Sequence, residues 1–240
     1  KRTKIIKQTQ KTREWIKNRN EFNELLNPEY LPTVMPPKQW TSVSGGGYWT
    51  SELPELDLVK QRNKKFKKEL ENFKMPEVYS AVNAMQNTAF KVNNFILGVM
   101  QEAWDKGIAI GGMPPITNME IPNKPHDIDT NADSRKAWKK QAVVAHTENA
   151  RMFSKRLLYA KIIWLAQKFK QYKTIYFPLQ LDFRGRCYAV PAFLNYQSIS
   201  GAKALLNFSY GKAITKENRG DFWLAVHGAN MWGKDKQTLE

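Results

Sequence analysis

One run of ten residues, LDFRGRCYAV at 181–190, places three ionised side chains around a glycine. They are Asp182, Arg184 and Arg186, and Tyr188 follows shortly after. Glycine lets a backbone approach a sugar-phosphate closely, a guanidinium is a forked donor for a phosphate, and a tyrosine ring can pack on a sugar or base. The run is therefore a candidate phosphate-contact site. The competing interpretation is a structural Asp182–Arg186 pair at the end of a strand.

The overall charge favours a polyanionic partner. Lysine and arginine number 38 against 22 acidic residues, which gives a formal net charge of +16 over 240 residues. Cys187 is the single cysteine, so no internal disulfide can form. No apolar run approaches the roughly 20 residues that a membrane helix needs, so we expect no membrane partner and a cytoplasmic location.

A second candidate contact surface lies in residues 133–173, which contain neither glycine nor proline. Arg135 with Lys139, and Arg151 with Lys155, are like charges four residues apart, which repel on a helix. Such a row is explained about equally well by phosphate contacts and by a solvated surface. A helix of forty residues would extend about 60 Å, so we expect a break or a kink within it.

The elements that would carry these residues are mainly helical. After Pro76 the apolar residues step by four and three over about six turns, which predicts one continuous helix. Those residues are Val78, Val82, Met85, Ala89, Val92, Ile96 and Val99. Further helices are expected at 3–27, 55–73, 200–209 and 215–233, with Thr215 capping the last. Ordered loops are expected at 28–54 and 107–130, and two strands on either side of Pro178.

The sequence lacks the usual signatures of a complete catalytic centre. It contains no P-loop, no dinucleotide-binding glycine pattern, no CxxC and no HExxH. His126, His146 and His227 are scattered without the spacing of metal ligands. Two-metal phosphoryl chemistry needs two carboxylates, and Asp182 is the one acid that we place near a site.

Five segments together resemble the single-subunit RNA polymerases of bacteriophages and mitochondria, in that family's order and at similar spacing. The segments are PPKQWTSVSGGGYW (36–49), MPEVYSAVNAMQNTAFKVN (75–93), AWKK (137–140), YFPLQLDFRGRCYAV (176–190) and HGANMWGKDK (227–236). The resemblance implies an α+β, mainly helical fold that forms part of a right-hand polymerase. Residues 1–74 would be the remnant of the amino-terminal domain, 75–173 the helical thumb, and 174–240 the first part of the palm.

The resemblance also implies roles for particular residues. In this family the DxxGR element, here Asp182 to Arg186, touches the template strand and the RNA–DNA hybrid, and Lys203 matches a lysine near the hybrid. Lys236 matches a palm lysine that reaches the triphosphate of the incoming nucleotide, where a cation offsets developing charge. The GGGYW run is expected to be architectural.

The family's metal-binding aspartates and fingers lie in positions after Glu240. We therefore expect an enzyme that is active only with a second chain, which supplies the rest of the palm, the fingers and the Mg²⁺ ligands. This expectation predicts exposed apolar residues in 175–233 that need cover: Ile175, Phe177, Leu181, Leu205, Leu206, Phe222, Trp223 and Leu224. A fragment of a longer polymerase is the alternative to a natural split enzyme.

The other expected partners are the DNA template, the RNA transcript and nucleoside triphosphates, in the cytoplasm of an infected bacterium. Two further alternatives stay open: a non-catalytic nucleic-acid-binding module, and a relic polymerase with a structural role.

Overall fold

A computed structural model describes residues 9–11, 14 and 28–238. The helices are α1 (Lys64–Glu71), α2 (Pro76–Gln86), α3 (Asn94–Asp105), α4 (Ala132–Phe169), α5 (Ser200–Ala204) and α6 (Gly220–Met231). The strands are β1 (Phe90–Val92), β2 (Leu179–Leu181), β3 (Cys187–Ala189) and β4 (Leu206–Phe208). The structure is mainly helical with small sheets, which agrees with the expected α+β class. Most of the helix predicted over 3–27 lies outside the described residues.

Helix α4 is the longest element in the described part of the chain and is continuous. Its 38 residues extend about 57 Å, so the expected break does not occur. The helix starts at Asn131, whose side chain accepts hydrogen bonds from the backbone N–H groups of Asp133 and Ser134. Toward its carboxyl end the helix turns an apolar face to the core, where Ile162 and Leu165 are fully buried.

The single long helix predicted after Pro76 is wrong. The chain leaves the helix after Gln86, forms β1, and starts α3 at Asn93, whose Oδ1 accepts from the backbone N–H of Ile96 at 3.2 Å. β1 gains antiparallel pairing with β4 and a bridge to Ile175 on its other side. Tertiary pairing and an asparagine cap here outweigh a regular apolar spacing.

Three other predicted helices are shorter than expected. In 55–73 the helix starts only after Asn63, which caps it, because residues 57–60 run alongside β2 instead. In 200–209 the helix ends at Ala204 and β4 follows. In 215–233 the helix begins at Gly220, so Thr215 is not its cap.

Thr215 instead closes the turn before α6. Its Oγ1 accepts from the Asn218 N–H at 3.3 Å, and Asn218 Oδ1 accepts from the N–H groups of Thr215 and Gly220. The residue at the helix cap is Arg219, which adopts a left-handed backbone with φ of 51°. The expected loops at 28–54 and 107–130 are confirmed, with isolated bridges in the first.

Two antiparallel pairs, β1–β4 and β2–β3, form the small sheets. β2 is also flanked by residues 57–60, because Leu181 N donates to Leu58 O at 2.7 Å and Lys60 N donates to Leu181 O at 2.8 Å. Residues 175 and 176 bridge to Phe90 and Thr33. The hairpin β2–β3 therefore sits inside a wider set of backbone contacts and does not stand alone.

The core consists of two clusters. The larger joins α3, α4, α5 and β1 to Ile175 and Phe177, and the smaller contains Trp40, Leu58, Val82, Leu179 and Leu181. The expectation that all the apolar residues of 175–233 need external cover is therefore wrong in part. Ile175, Phe177, Leu181 and Leu205 are buried by this chain itself, whereas Trp223 and Leu224 on α6 are exposed. No helix in the described residues is long and apolar enough to cross a membrane.

Candidate nucleic-acid interface

The loop between β2 and β3 is a short hairpin turn. Asp182 N donates to Arg186 O at 2.8 Å, and Gly185 N donates to Asp182 O at 3.0 Å. Gly185 has φ of +79°, in the left-handed region that favours glycine. This is the pattern of a three-residue hairpin loop closed by a glycine bulge. The turn is tight at Gly185, with Arg184 within the loop and Arg186 at its end.

Asp182 shapes the loop through the backbone. Its Oδ1 accepts from the N–H groups of Arg184 and Arg186, both at 2.9 Å, and its Oδ2 lies 3.8 Å from Arg184 Nε. The predicted structural pair between Asp182 and the Arg186 side chain is absent from these contacts. The backbone N–H of Arg186 is the main cause that lowers the pKa of Asp182, helped by Arg184 and by both guanidinium charges, while partial burial opposes it. The carboxylate therefore stays ionised at neutral pH.

The two guanidinium groups of the loop and its aromatic rings are exposed. Within the described residues, the Arg186 guanidinium makes no hydrogen bond or ion pair to another side chain. The Arg184 guanidinium lies over the Phe183 ring, 5.1 Å from its centroid. Phe183 is 63% exposed and Tyr188 is 46% exposed. The hairpin thus combines a forked cation with two exposed aromatic rings, which suits a sugar-phosphate chain with unstacked bases.

The hairpin is held from below by residues far away in the sequence. Trp40 is buried and its Nε1 donates to Leu179 O at 3.1 Å. Buried Gln86 donates to Lys38 O at 3.1 Å, and its Oε1 faces Leu179 N at 3.5 Å. A Cβ on Gly46 would lie 2.4 Å from the Trp40 ring, so only glycine fits there. This agrees with the architectural role expected for the GGGYW run.

Lys203 lies on α5, exposed to solvent, three residues after Ser200 starts that helix. The helix packs closely on α4, because a Cβ on Gly201 would lie 2.9 Å from the Tyr159 ring. The Tyr159 hydroxyl donates to Gly111 O at 3.2 Å and thereby ties the 107–130 loop to the same point. The long helix therefore sets the position of Lys203.

The known proteins that this chain resembles in sequence are DNA-directed RNA polymerases. Residues 1–87 match the family described as DNA-directed RNA polymerase N-terminal. The DNA-directed RNA polymerase of Enterobacteria phage T3 is 42% identical over 213 residues, which cover 88% of this chain and 24% of that protein. The DNA-directed RNA polymerase of Enterobacteria phage K11 is 41% identical over 88% of this chain and 23% of its own length. The mitochondrial DNA-directed RNA polymerase of Neurospora crassa is 29% identical over 88% of this chain and 15% of its own.

This chain is homologous to the single-subunit RNA polymerases of phages and mitochondria. It spans about a quarter of the length of the phage relatives that it matches.

Helix α6 and the turn after it carry the polymerase-like HGANMWGKDK segment. Lys236 lies exposed in that turn. No hydrogen bond or ion pair joins α6 or its turn to the hairpin among the described residues, and α6 buries none of its own side chains. Contacts among the described residues therefore do not link Lys236 to Arg186.

The row of basic side chains on α4 is partly engaged in contacts within the protein. Its members are Arg135, Lys139, Arg151 and Lys155. Arg151 makes a two-pronged contact with Glu148, with Nε and Nη2 at 2.9 and 2.6 Å from its two carboxylate oxygens. Arg135 donates to the carbonyl groups of Ile128 and Asp129. Lys139 is exposed and Lys155 is half-buried. The sequence left these four residues open as phosphate contacts or as solvated surface, and the two arginines already make contacts within the protein.

The arginine contacts belong to a longer strap between α4 and the loop before it. Arg156 donates to Pro115 O, Thr117 O and Asn118 Oδ1, each at 2.8 Å. Further along, Asn149 bonds the N–H and C=O of Met119. Trp138 Nε1 donates to Pro122 O at 2.8 Å, so that the loop runs antiparallel to the helix over much of its length.

The described residues do not fit a two-metal site. No three side chains of histidine, cysteine, aspartate or glutamate converge among them. Asp182 already accepts two backbone N–H groups with one carboxylate oxygen. No step of nucleotidyl transfer is therefore assigned to a metal held by this part of the chain.

Sequence analysis missed residues that the fold places beside the hairpin. The parallel bridge between Val59 and Leu181 brings exposed Lys60 next to Asp182. Trp40 and Gln86 were missed as supports, since their partners are more than ninety residues away. The alternation in Leu56–Asp57–Leu58–Val59 was the available signal for a strand in this place.

Proposed function

We propose that this chain forms the part of a DNA-dependent RNA polymerase that contacts the template strand and the RNA–DNA hybrid. The contacts are made by the β2–β3 hairpin, through Arg184, Arg186 and Tyr188, and by Lys203 on α5. The observation that carries the proposal is the Arg186 guanidinium, which has no hydrogen-bond or ion-pair partner among the described residues and lies at the end of a loop that Asp182 holds through the backbone. The homology to phage polymerases across 88% of the chain supports the same assignment.

Each residue of the hairpin has a distinct role in this proposal. Asp182 sets the loop geometry, so that the Arg186 fork is presented without side-chain rearrangement. Arg186 binds a backbone phosphate with two parallel donors, which a lysine cannot match. Tyr188 packs on a sugar or base. Lys139 and Lys155 on α4 add non-directional attraction to the same duplex, and the net charge of +16 supports this part.

Nucleotide addition needs groups that lie outside the described residues. Lys236 supplies a positive charge to the incoming triphosphate once α6 is docked. The exposed side chains Trp223, Leu224, Met231 and Trp232 support docking of α6 against another part of the polymerase. We assign that part, with the rest of the palm, the fingers and the aspartates that hold Mg²⁺, to a second chain, which makes the enzyme a heterodimer. The phage origin of the relatives supports the cytoplasm of an infected bacterium as its place of action.

The test is extension of an RNA primer annealed to a DNA template by the polymerase that contains this chain. Arg186→Ala should slow extension about tenfold or more, because a charged hydrogen bond contributes on the order of 1.5–3 kcal/mol. Lys173→Ala is the matched control for loss of a positive charge, since Lys173 is exposed and lies outside the hairpin. Extension by Arg186→Ala at the wild-type rate would show that the assigned contact is wrong.

Lys236→Ala separates the nucleotide role from the template role. The apparent KM for nucleoside triphosphates should rise, while binding of the hybrid in a gel-shift assay should be unchanged. A hybrid-binding defect with unchanged nucleotide dependence would assign Lys236 to the nucleic acid instead.

A non-catalytic nucleic-acid-binding module is the second candidate, and the excess of basic residues favours it equally. Under this alternative, Arg186→Ala weakens binding of the hybrid, but no primer extension occurs with any combination of chains.

A further inference from the structure

The outer edge of β3 is closed by a side chain and not by another strand. β3 pairs with β2, and the hydrogen bond from Asp182 N to Arg186 O lies just before β3. In an antiparallel pair, every second residue of a strand directs its backbone N–H and C=O groups to the partner strand. The residues between them direct these groups outward. The outward groups here are the Cys187 carbonyl and the Ala189 N–H, and both meet the side-chain amide of Gln197. Gln197 Oε1 accepts from Ala189 N at 2.7 Å, and Gln197 Nε2 donates to Cys187 O at 2.8 Å.

A primary amide is well matched to this edge. It offers one donor and one acceptor a short distance apart, as a peptide group of a neighbouring strand would. A carboxylate lacks the donor and would face the Cys187 carbonyl with a negative charge, while alanine offers neither group. Both hydrogen bonds of the exposed Gln197 amide go to this one strand edge, where a neighbouring strand would otherwise pair.

The position of Gln197 is itself held by buried groups. Asn195 is buried, its Oδ1 accepts from Gln197 N at 2.8 Å, and its Nδ2 donates to Pro191 O at 2.8 Å. The neighbouring Tyr196 ring stacks on Phe90 with centroids 5.2 Å apart. Buried Asn195 and the stacked ring of Tyr196 therefore anchor the loop that carries Gln197.

We infer that Gln197 is a positioning residue, which fixes β3 so that Arg186 and Tyr188 keep a constant placement relative to Lys203. The same loop continues into α5, which begins at Ser200 and carries Lys203. Gln197 thus links the two elements that the proposed function assigns to the hybrid. The inference rests on that function for its consequence in extension, but the strand-edge contact is testable without it.

The first measurement is hydrogen exchange of the backbone of residues 186–190 in the full chain, followed by primer extension in the assembled polymerase. In Gln197→Ala the Ala189 N–H should exchange about tenfold faster, as expected from loss of one net hydrogen bond. Primer extension should fall severalfold. The matched control is Gln167→Ala, because Gln167 is exposed on α4 and its side chain makes no hydrogen bond among the described residues.

Gln197→Glu gives a second, reversible readout. Near pH 8 the new carboxylate lacks the donor, so exchange at Ala189 should be fast and hybrid binding weak relative to wild type. Near pH 4, below the ordinary glutamate pKa of about 4.3, protonation restores an O–H donor, and the ratio to wild type should recover. The nearby groups do not titrate in that window: burial raises the pKa of Tyr196 to about 12 and raises that of the Cys187 thiol, while the pKa of Asp182 is lowered.

The outcomes separate the two proposals. Two results would overturn the inference. One is exchange at Ala189 in Gln197→Ala that is as slow as in wild type. The other is primer extension at the full rate by Gln197→Ala while Arg186→Ala is strongly impaired. If Arg186→Ala extends normally, the proposed function fails, and the exchange data still decide whether Gln197 closes the strand edge. A Gln197→Glu variant that shows no recovery toward pH 4 also contradicts the amide role.

Discussion

The indole Nε1 of Trp40 donates a hydrogen bond to the Leu179 carbonyl at 3.1 Å, across 139 residues of sequence. Leu179 is the first residue of β2, so the bond fixes the strand that leads into the Asp182–Arg186 loop. The Trp40 ring is buried and lies against Gly46 on one side. A segment before the long helix thus supports the candidate nucleic-acid contact from beneath.

Trp40→Phe should destabilise the fold by about 2 kcal/mol or more, because it leaves a buried carbonyl without its donor and removes part of a large ring. Trp49→Phe is the matched control. Trp49 also donates to a backbone carbonyl, that of Pro36 at 2.9 Å, but its side chain is exposed. Denaturant unfolding should show a clearly larger loss for Trp40→Phe, and equal losses would contradict the supporting role.

Gly201→Ala should destabilise the protein by about 1–3 kcal/mol, because the added methyl group would overlap the Tyr159 ring. Gly98→Ala provides the contrast. Gly98 lies in α3 with nothing near its Cβ position, so alanine there should stabilise by about 0.4–1 kcal/mol. Thermal unfolding of the two variants should move in opposite directions. A shift of the same sign would mean that α5 does not pack on α4 as described.

Asp182 should make the stability of the protein depend on pH at the acid end. Its pKa in the folded protein is lowered, chiefly by the Arg186 N–H. Its contribution is therefore present above the unfolded value of about 3.9, and is lost as the pH falls through the lower folded value. Asp182→Asn should flatten this part of the curve of unfolding free energy against pH. An Asp182→Asn variant whose curve keeps the wild-type slope at acid pH would contradict this contribution.

Arg156→Ala should release the loop that it holds to α4. The guanidinium donates to two carbonyl groups and one amide oxygen of residues 115–118, and alanine provides none of these donors. Limited proteolysis should cut residues 107–122 faster than in wild type, while cleavage elsewhere stays the same. Lys136→Ala is the control for loss of a positive charge on the same helix. Equal cleavage in the two variants would show that charge, and not the strap, protects the loop.

Several features of this protein were available from the sequence alone because they depend on neighbouring residues. The turn at Gly185 follows from glycine and aspartate chemistry within five residues. The buried face of α4 at Ile162 and Leu165 follows from helical spacing over a long run without glycine or proline. The five ordered segments were enough for the polymerase resemblance.

Only the tertiary structure decided the features that depend on distant partners. The regular apolar spacing of 78–99 favoured one helix, but pairing with β4 and Ile175 converts 90–92 into a strand, since propensity differences of about 1 kcal/mol yield to such contacts. The partner of Asp182 was also misjudged, because a carboxylate in a tight turn meets the backbone N–H groups before it can reach a side chain at the tip. The contacts of Trp40 and Gln197 with the hairpin join segments whose approach no local pattern specifies.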